Sequence, residues 1–217
     1  MAQSDLDRTT RSKLESMGNI PISTAVLASL VGSVTNTQDK IRRMEQAGDV
    51  LRLKRGLYVV SPAISRTPLS VELIANQLYS PSYISCLSAL RYYGLIPETV
   101  YQTQSMTTKH TRTFETPQGV FAYYHIDRDT FPIGLTNIVS KGYSFAIATP
   151  EKALCDWVSI SPQVNLRYLT DAQRYLEEDI RLDMEAFLKM NPAIFEEYAC
   201  VGKKKTSIQT LLKLLRQ

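Results

Sequence analysis

The chain has 217 residues, of which 44% are hydrophobic and 21% charged, with a formal net charge of +4. This balance is typical of a globular protein and excludes a disordered polycation. The length favours one small and one larger domain. No run of about 18 apolar residues occurs, and the N-terminal stretch has no apolar core. We therefore expect no membrane association and a cytoplasmic location.

Cysteine and histidine are sparse. The cysteines Cys86, Cys155 and Cys200 are widely spaced and form no CxxC pair, so neither a disulfide framework nor a zinc ribbon is predicted. Cys86 and Cys155 lie in apolar patterns, where a buried, inert thiol is expected. The two histidines, His110 and His125, do not share a metal-binding spacing, and a Cys–His nucleophile pair has little in its favour. The sequence thus predicts no metal, no cofactor and no catalytic residue.

Three helices are predicted near the N-terminus. Ser23 is a candidate N-cap for a short second helix, and Gly32 and Gly48 end the second and third helices because glycine accepts a left-handed conformation. The predicted ranges are Leu6–Met17, Thr24–Leu30 and Asn36 or Thr37 to Ala47.

The third predicted helix is basic on its solvent side. Ile41 and Met44 fall on one side at helical spacing and should face the core. Long Arg and Gln side chains are then left outside, and these are the side chains that reach base edges in a major groove, whereas Lys more often contacts phosphate. Between Asn36 and Arg55 there are six basic residues against three acidic ones.

A basic hairpin follows this helix. Residues 49–54 alternate apolar and charged side chains, Arg55 and Gly56 form the turn, and residues 57–60 return. Basic residues at such a tip usually contact phosphate. The pattern predicts a winged helix-turn-helix over residues 1–62 that binds double-stranded DNA, although a helix-turn-helix used only for protein contacts is the alternative. The predicted DNA-binding residues are Asn36, Thr37, Gln38, Lys40, Arg42, Arg43, Gln46, Arg52, Lys54 and Arg55.

The remaining chain predicts a linker and a second domain. Residues 63–68 are rich in Pro and Ser and form the predicted linker. Residues 69–217 form a larger mixed α/β domain that ends in helices, so the predicted fold class is α+β. A helix is expected from Ser70 to Leu78 and another from Tyr83 to Gly94. The expected strands are Gln102–Thr107, Val120–Ile126, Asn137–Val139 and Tyr143–Ala148, with a polar, basic connection between the first two.

Helices dominate the C-terminal part. Thr149 is a candidate N-cap, and Pro150 suits the first helical position. Helices between Leu166 and Glu197 should break near Asn191, and the acidic run 177–179 is expected to be solvated. A last helix from Thr206 to Arg216 carries an apolar stripe that should dock on the domain. The lysines that precede it, 203–205, contact nucleic acid or only keep the end soluble, and the sequence favours neither.

Three phrases in order give the chain a family resemblance. They are SYISCLSALRYYGLIPETV, TRTFETPQG with its FAYYHI strand, and ATPEKALCDW. With the N-terminal domain, they resemble the AbiEi-type antitoxins of bacterial abortive-infection toxin–antitoxin systems, from the winged helix to about Val158. The resemblance implies that the N-terminal domain binds promoter repeats and represses its own operon. It also implies that the C-terminal domain counteracts a nucleotidyltransferase-like toxin in phage defence without a tight protein complex (type IV behaviour). The chain itself is expected to be a monomer in solution.

Polar residues of the second domain form a candidate antitoxin surface. Arginine and lysine suit phosphate or nucleic acid, and tyrosine offers a stacking face. The alternative is that the aromatic residues are core and the charges solvated. The candidates are Tyr83, Arg91, Tyr92, Lys109, Arg112, Glu151 and Lys152.

Two other functions remain open. The chain can be a winged-helix transcriptional repressor whose second domain senses a ligand or partner and has no toxin role. An enzyme acting on nucleic acid ranks last, because the sequence has no P-loop, metal cluster or recognisable triad.

Overall fold

The computed structural model describes residues 6–32, 36–98, 100–140 and 142–217. The fold is mixed α+β, with 45% helix and 21% strand. It divides into two compact units: Met1–Leu78 with the hairpin tip Glu115–Gly119, and Tyr79–Phe114 with Val120–Gln217. Within the described ranges, no helix has the length and apolar character needed to cross a membrane.

The first unit combines helices with a small antiparallel sheet whose strand order is β1-β3-β2. In this sheet Ile22 lies opposite Tyr58 and Val50 opposite Val60. Its elements are α1 (Arg8–Glu15), β1 (Ile22–Ser23), α2 (Thr24–Val31), α3 (Thr37–Ala47), β2 (Val50–Lys54), β3 (Leu57–Val60), α4 (Pro62–Ser65) and α5 (Val71–Leu78).

Local capping explains why the first-unit helices begin and end where the sequence predicts. The Asp7 carboxylate accepts the Thr10 amide at 2.8 Å, and the Ser23 hydroxyl accepts the Val26 amide at 3.3 Å. Gly32 and Gly48 end α2 and α3 with φ of 66° and 77°, in the left-handed region that glycine enters at little cost. The predicted helices and hairpin are confirmed to within two residues at each end.

One core joins the elements of the first unit. Its members include Leu14 of α1, Leu27 of α2, Ile41 of α3 and Val50 of β2, all almost fully buried. Ile64 of α4 belongs to the same core. Part of the segment predicted to be a linker is therefore helical and buried in the first unit. The domain boundary itself stays a prediction.

The second unit is built on a mixed sheet with strand order β6-β7-β5-β4-β9-β8. The pairs β4–β9 and β5–β7 are parallel, whereas β4–β5 and β8–β9 are antiparallel. The elements in this part of the chain are β4 (Ser82–Ile84), α6 (Cys86–Tyr92), β5 (Gln102–Thr107), β6 (Arg112–Thr116), β7 (Gly119–His125), β8 (Leu135–Ser140) and β9 (Tyr143–Ala148).

Two sequence predictions for this sheet were wrong. The helix expected from Tyr83 begins only at Cys86, because Tyr83 and Ile84 form β4, a strand in the middle of the sheet that is buried on both faces. The segment expected to be a polar connection contains β6, Arg112–Thr116. This strand lies at the edge of the sheet and is mostly exposed, so it lacks the apolar alternation that marks a half-buried strand.

Helices follow the sheet, as predicted. Thr149 caps the first of them, and its hydroxyl accepts the Lys152 amide at 3.5 Å. In the last, the predicted apolar stripe is buried at Ile208, Leu211 and Leu212, and the thiols of Cys86 and Cys155 are buried as expected. These elements are α7 (Pro150–Ile160), α8 (Leu169–Arg174), a π-helical segment (Tyr175–Asp179), α9 (Met184–Phe187), α10 (Pro192–Val201) and α11 (Lys205–Leu215).

Candidate nucleic-acid interface

Helix α3 presents a continuous polar face to solvent. Its phase is fixed by Ile41 and Met44, which are 4% and 3% exposed and pack in the first-unit core. Residues four apart then line the opposite side, and Gln38, Arg42 and Gln46 are all exposed. Arg43 is exposed beside them. These long hydrogen-bonding side chains share the solvent face of one helix.

The start of α3 differs from an ordinary helix start. Asn36 precedes it in the left-handed conformation, with φ of 65°, and its side chain makes no capping hydrogen bond. Asn36 is exposed and Thr37 is half-buried. Both predicted contact residues therefore lie at the N-terminal end of the helix.

The β2–β3 hairpin carries two further exposed arginines. Arg52 lies on β2 and Arg55 at the turn, where Gly56 adopts φ of 85°. The register shifts between Arg52 and Lys54, so Arg52 lies opposite Tyr58 while Lys54 lies opposite Leu57. This bulge separates the exposed Arg52 from the half-buried Lys54.

The four arginines form no ion pair with the residues that the structure describes. Among the described residues, no carboxylate lies within ion-pair distance of Arg42, Arg43, Arg52 or Arg55. By contrast, Arg11 and Arg66 in the same unit both approach Glu15. The positive charge of these four arginines is thus available for an anionic partner.

The two predicted lysines have roles that the sequence did not show. Lys40 is half-buried and donates from Nζ to the Val31 carbonyl at 3.1 Å. Lys54 donates from Nζ to the Leu78 carbonyl at 2.5 Å. Val31 and Leu78 are the last residues of α2 and α5, where backbone carbonyls lack partners within the helix. Both lysines therefore cap helix C-termini within the first unit.

The predicted antitoxin surface is only partly a surface. Tyr83 and Lys152 are 0% exposed, so their assignment to a contact surface was wrong. Both belong to the buried network described below. Glu151 is half-buried, and its carboxylate accepts a hydrogen bond from the backbone N–H of Asn191 at 2.9 Å, which links α7 to the start of α10.

The other four candidates form two groups. Lys109 lies over the Tyr79 ring and Arg112 over the Phe114 ring, and these two rings contact each other with centroids 5.5 Å apart. Arg91 and Tyr92 lie instead at the end of α6. There Arg91 donates to the carbonyls of residues 97 and 98, and Tyr92 packs edge-on against residues 93 and 145.

A buried polar network is the feature that sequence reasoning missed. Oδ2 of Asp156 accepts the hydroxyls of Tyr83 at 3.0 Å and Ser85 at 2.7 Å. Its Oδ1 accepts Lys152 Nζ at 3.2 Å and the Tyr198 hydroxyl at 2.9 Å. Lys152 also donates to a backbone carbonyl, that of residue 130, at 2.9 Å. The four donors come from β4, the residue after it, α7 and α10.

Burial shapes the chemistry of this network. It raises the pKa values of the Tyr83 and Tyr198 hydroxyls well above their ordinary value, and the Asp156 carboxylate adds to both shifts. The Lys152 ammonium group lies beside the Asp156 carboxylate, and three hydroxyl groups complete the hydrogen bonding of that carboxylate. The arrangement holds the sheet, α7 and α10 together. The i, i+4 spacing of Lys152 and Asp156 within an apolar helix was the one signal in the sequence.

No cluster of side chains suited to a metal ion occurs in the part of the chain that the structure describes. No protein-family model matches the chain, and no curated protein matches it significantly.

Proposed function

We propose that the first unit is a winged helix-turn-helix that binds double-stranded DNA, with α3 as the recognition helix and the β2–β3 hairpin as the wing. The observation that carries this proposal is the set of exposed arginines on α3 and the hairpin, none of which forms an ion pair with another described residue. The order of elements supports it, since α2, which ends at Gly32, and then α3 are followed directly by an antiparallel hairpin.

The exposed face of α3 suits a major groove. An α-helix fits the width of this groove, and Arg and Gln can each make two hydrogen bonds to a base edge. Gln38, near the N-terminal end of α3, is where a recognition helix usually contacts bases. Arg42 and Arg43 follow one turn later. We expect these three residues to carry sequence preference.

The exposed side chains of the hairpin suit contacts with DNA phosphates. Arg52 and Arg55 are exposed and carry fixed positive charges, and contacts of this kind give affinity without sequence information. Lys40 and Lys54 already donate to backbone carbonyls, so we expect them to contribute less than the arginines.

A binding titration tests the DNA proposal. A fluorescent duplex from the region upstream of the chain's own gene is compared, by anisotropy, with a shuffled duplex of equal length and composition. An autorepressor should bind the upstream duplex at least tenfold more tightly, a modest value for specific recognition. Equal affinity for both duplexes would exclude autorepression, and no binding to either would exclude a DNA-binding role.

The second unit is proposed to be the antitoxin half of a toxin–antitoxin pair. The support is the resemblance in three phrases, two of which contribute to the buried network: Tyr83 and Ser85 lie in the first, Lys152 and Asp156 in the last. In this proposal the chain is a monomeric, cytoplasmic, non-enzymatic protein. It counteracts a nucleotidyltransferase-like toxin without a stable complex.

Co-expression tests the antitoxin proposal. The full chain is expressed together with an adjacent nucleotidyltransferase-like gene in a host whose growth that gene arrests. Restored growth is expected, and it should persist in the Arg42→Ala/Arg43→Ala variant because neutralisation is assigned to the second unit. Failure of the full chain to restore growth would contradict the antitoxin role while leaving DNA binding intact.

A further inference from the structure

A mainly apolar cavity lies in the second unit, apart from the buried network. It has a volume of about 460 Å³, within the usual range for small-molecule sites. Its walls come from β7, α7, the loop after α7 and the π-helical segment. We call it the Trp157 pocket.

Three aromatic side chains from three elements face this pocket. They are Tyr124 of β7, Trp157 of α7 and Tyr175 of the π-helical segment. Tyr124 and Trp157 are half-buried, and Tyr175 is 8% exposed. Flat, half-buried rings gathered in this way offer stacking faces to a planar ligand.

The Trp157 indole offers the cavity its ring and not its N–H. Burial raises the pKa of Tyr175 to about 12, and a hydrogen bond with the Trp157 side chain offsets part of that rise. Nε1 of Trp157 is itself buried, so the N–H lies towards the protein.

The polar rim of the pocket selects a kind of ligand. Asp179 supplies an exposed carboxylate, and Gln163 supplies an amide. No Lys or Arg is among the described residues that line the cavity, and Asp179 ends an exposed acidic run, 177–179. The rim therefore favours a ligand with hydrogen-bond donors and disfavours an anion such as a phosphate.

The wall formed by residues 161–164 is held in place by the protein itself. Lys204 Nζ donates to the carbonyls of Ser161 and Val164, the latter at 2.7 Å. The Ser161 hydroxyl donates to the Trp157 carbonyl at 2.6 Å. Because these contacts fix the loop against α7, the pocket is formed before any ligand arrives.

We propose that the Trp157 pocket binds an uncharged, planar heteroaromatic ring with the chemistry of a free nucleobase or nucleoside. The ring stacks on the aromatic walls, and an exocyclic amine donates to Asp179. This site does not rest on the proposed DNA-binding or antitoxin role. It would give the second unit a ligand to sense.

Trp157 makes the test direct because it is the sole tryptophan of the chain. Its fluorescence is followed while the full chain is titrated with adenosine, guanosine, cytidine and uridine. The corresponding 5′-monophosphates and a short single-stranded oligonucleotide form separate arms. Saturable quenching is expected with at least one nucleoside, and its monophosphate should bind several-fold more weakly.

Variants assign the binding to the pocket. Trp157→Ala removes one aromatic wall, and calorimetry should show about fivefold to tenfold weaker binding because a stacking face is lost. Asp179→Asn should reduce the difference in affinity between a nucleoside and its monophosphate, because it removes the negative charge at the rim. Asp129→Asn is the same change at an exposed acid that does not line the pocket. It should change neither the nucleoside affinity nor the difference from the monophosphate. Absence of saturable quenching by all four nucleosides, or tighter binding of the monophosphates or the oligonucleotide, would overturn the proposal.

Discussion

Lys152 and Asp156 form an ion pair of 3.2 Å in which both side chains are completely buried. Lys189 and Glu185 form a pair with the same i, i+4 spacing at 2.7 Å, with side chains that are 71% and 81% exposed. The two pairs have the same sequence separation and opposite exposure to solvent, and only the buried pair belongs to a larger hydrogen-bond network. The exposed pair is therefore the natural reference for the buried one.

Breaking the buried pair should destabilise the second unit strongly. Lys152→Met removes the ammonium and keeps most of the side-chain volume, which leaves the Asp156 carboxylate buried without its counter-charge. A loss of about 3–5 kcal/mol in the free energy of unfolding is expected. Lys189→Met is the matched control and should change stability little, because exposed pairs contribute little. Urea unfolding measures both, and equal losses would show that the buried pair has no special role.

Gly134 lies against the same network. It has φ of 58°, and an added Cβ would come within 2.9 Å of Lys152 Cβ and 3.1 Å of Thr149 Oγ1. Gly94 has a similar φ of 73° with nothing within 4 Å of the added atom. Gly134→Ala should therefore lose about 1–3 kcal/mol more than Gly94→Ala. Thermal unfolding of the two variants separates the contact from the backbone strain that they share, and similar losses would place the cost in the backbone alone.

Alkaline pH should weaken the fold through the buried tyrosines. Burial raises the pKa values of Tyr83 and Tyr198 in the folded state, so the folded chain holds these protons where the unfolded chain, with a pKa of about 10, releases them. This contribution to stability is complete below about pH 10 and is lost as the pH rises towards the pKa values of the two tyrosines in the folded chain. Each tyrosine adds a slope of up to about 1.4 kcal/mol per pH unit.

Urea titrations at several alkaline pH values measure this slope. Tyr198→Phe should make it shallower than in the wild-type chain, whatever the variant's stability at neutral pH. An unchanged slope would show that Tyr198 does not contribute to the alkaline loss.

Lys40 offers a test of a structural role against a DNA-binding role. Its Nζ donates to the Val31 carbonyl at the end of α2. Lys40→Met should lower the stability of the first unit by about 1 kcal/mol, a typical value for one hydrogen bond, and should weaken DNA binding less than Arg43→Met. Unfolding and anisotropy titrations on the same two variants make the comparison. If Lys40→Met weakened DNA binding more than Arg43→Met, Lys40 would be a DNA-contact residue after all.

The elements of the first unit were predictable because their signals are local. Ser23 lies directly before α2, and Gly32 and Gly48 directly after α2 and α3, so caps and stops are readable in place. The strands β4 and β6 carry no such signal, since one is a short buried run and the other a polar edge. In both cases the neighbouring strands decide the conformation, and the sequence does not show which strands will be neighbours.

The sites of the second unit were harder to predict because they join distant residues. Asp156 is 73 residues from Tyr83 and 42 from Tyr198. Only the pair with Lys152 is close in sequence, and the sequence placed Lys152 on a surface. The Trp157 pocket likewise draws Tyr124 and Tyr175 from separate elements. Among the DNA-binding candidates, the exposure of Arg42 and Arg43 followed from helical phase and that of Arg52 and Arg55 from the hairpin pattern, whereas the carbonyl partners of the two lysines required the folded chain.

The salt dependence of DNA affinity tests the central claim most directly. Affinity for the upstream duplex is measured over a range of salt concentrations for the wild-type chain, Arg42→Ala/Arg43→Ala, Arg55→Ala and Arg8→Ala. Arg8 is an exposed arginine on α1 of the same unit and serves as the charge-matched control. The proposed docking predicts that Arg55→Ala lowers the slope of log affinity against log salt by about one unit.

The same docking predicts that the α3 double variant loses preference for the upstream sequence and that Arg8→Ala changes neither slope nor preference. Equal behaviour of all three variants and the wild-type chain would contradict DNA binding through α3 and the hairpin.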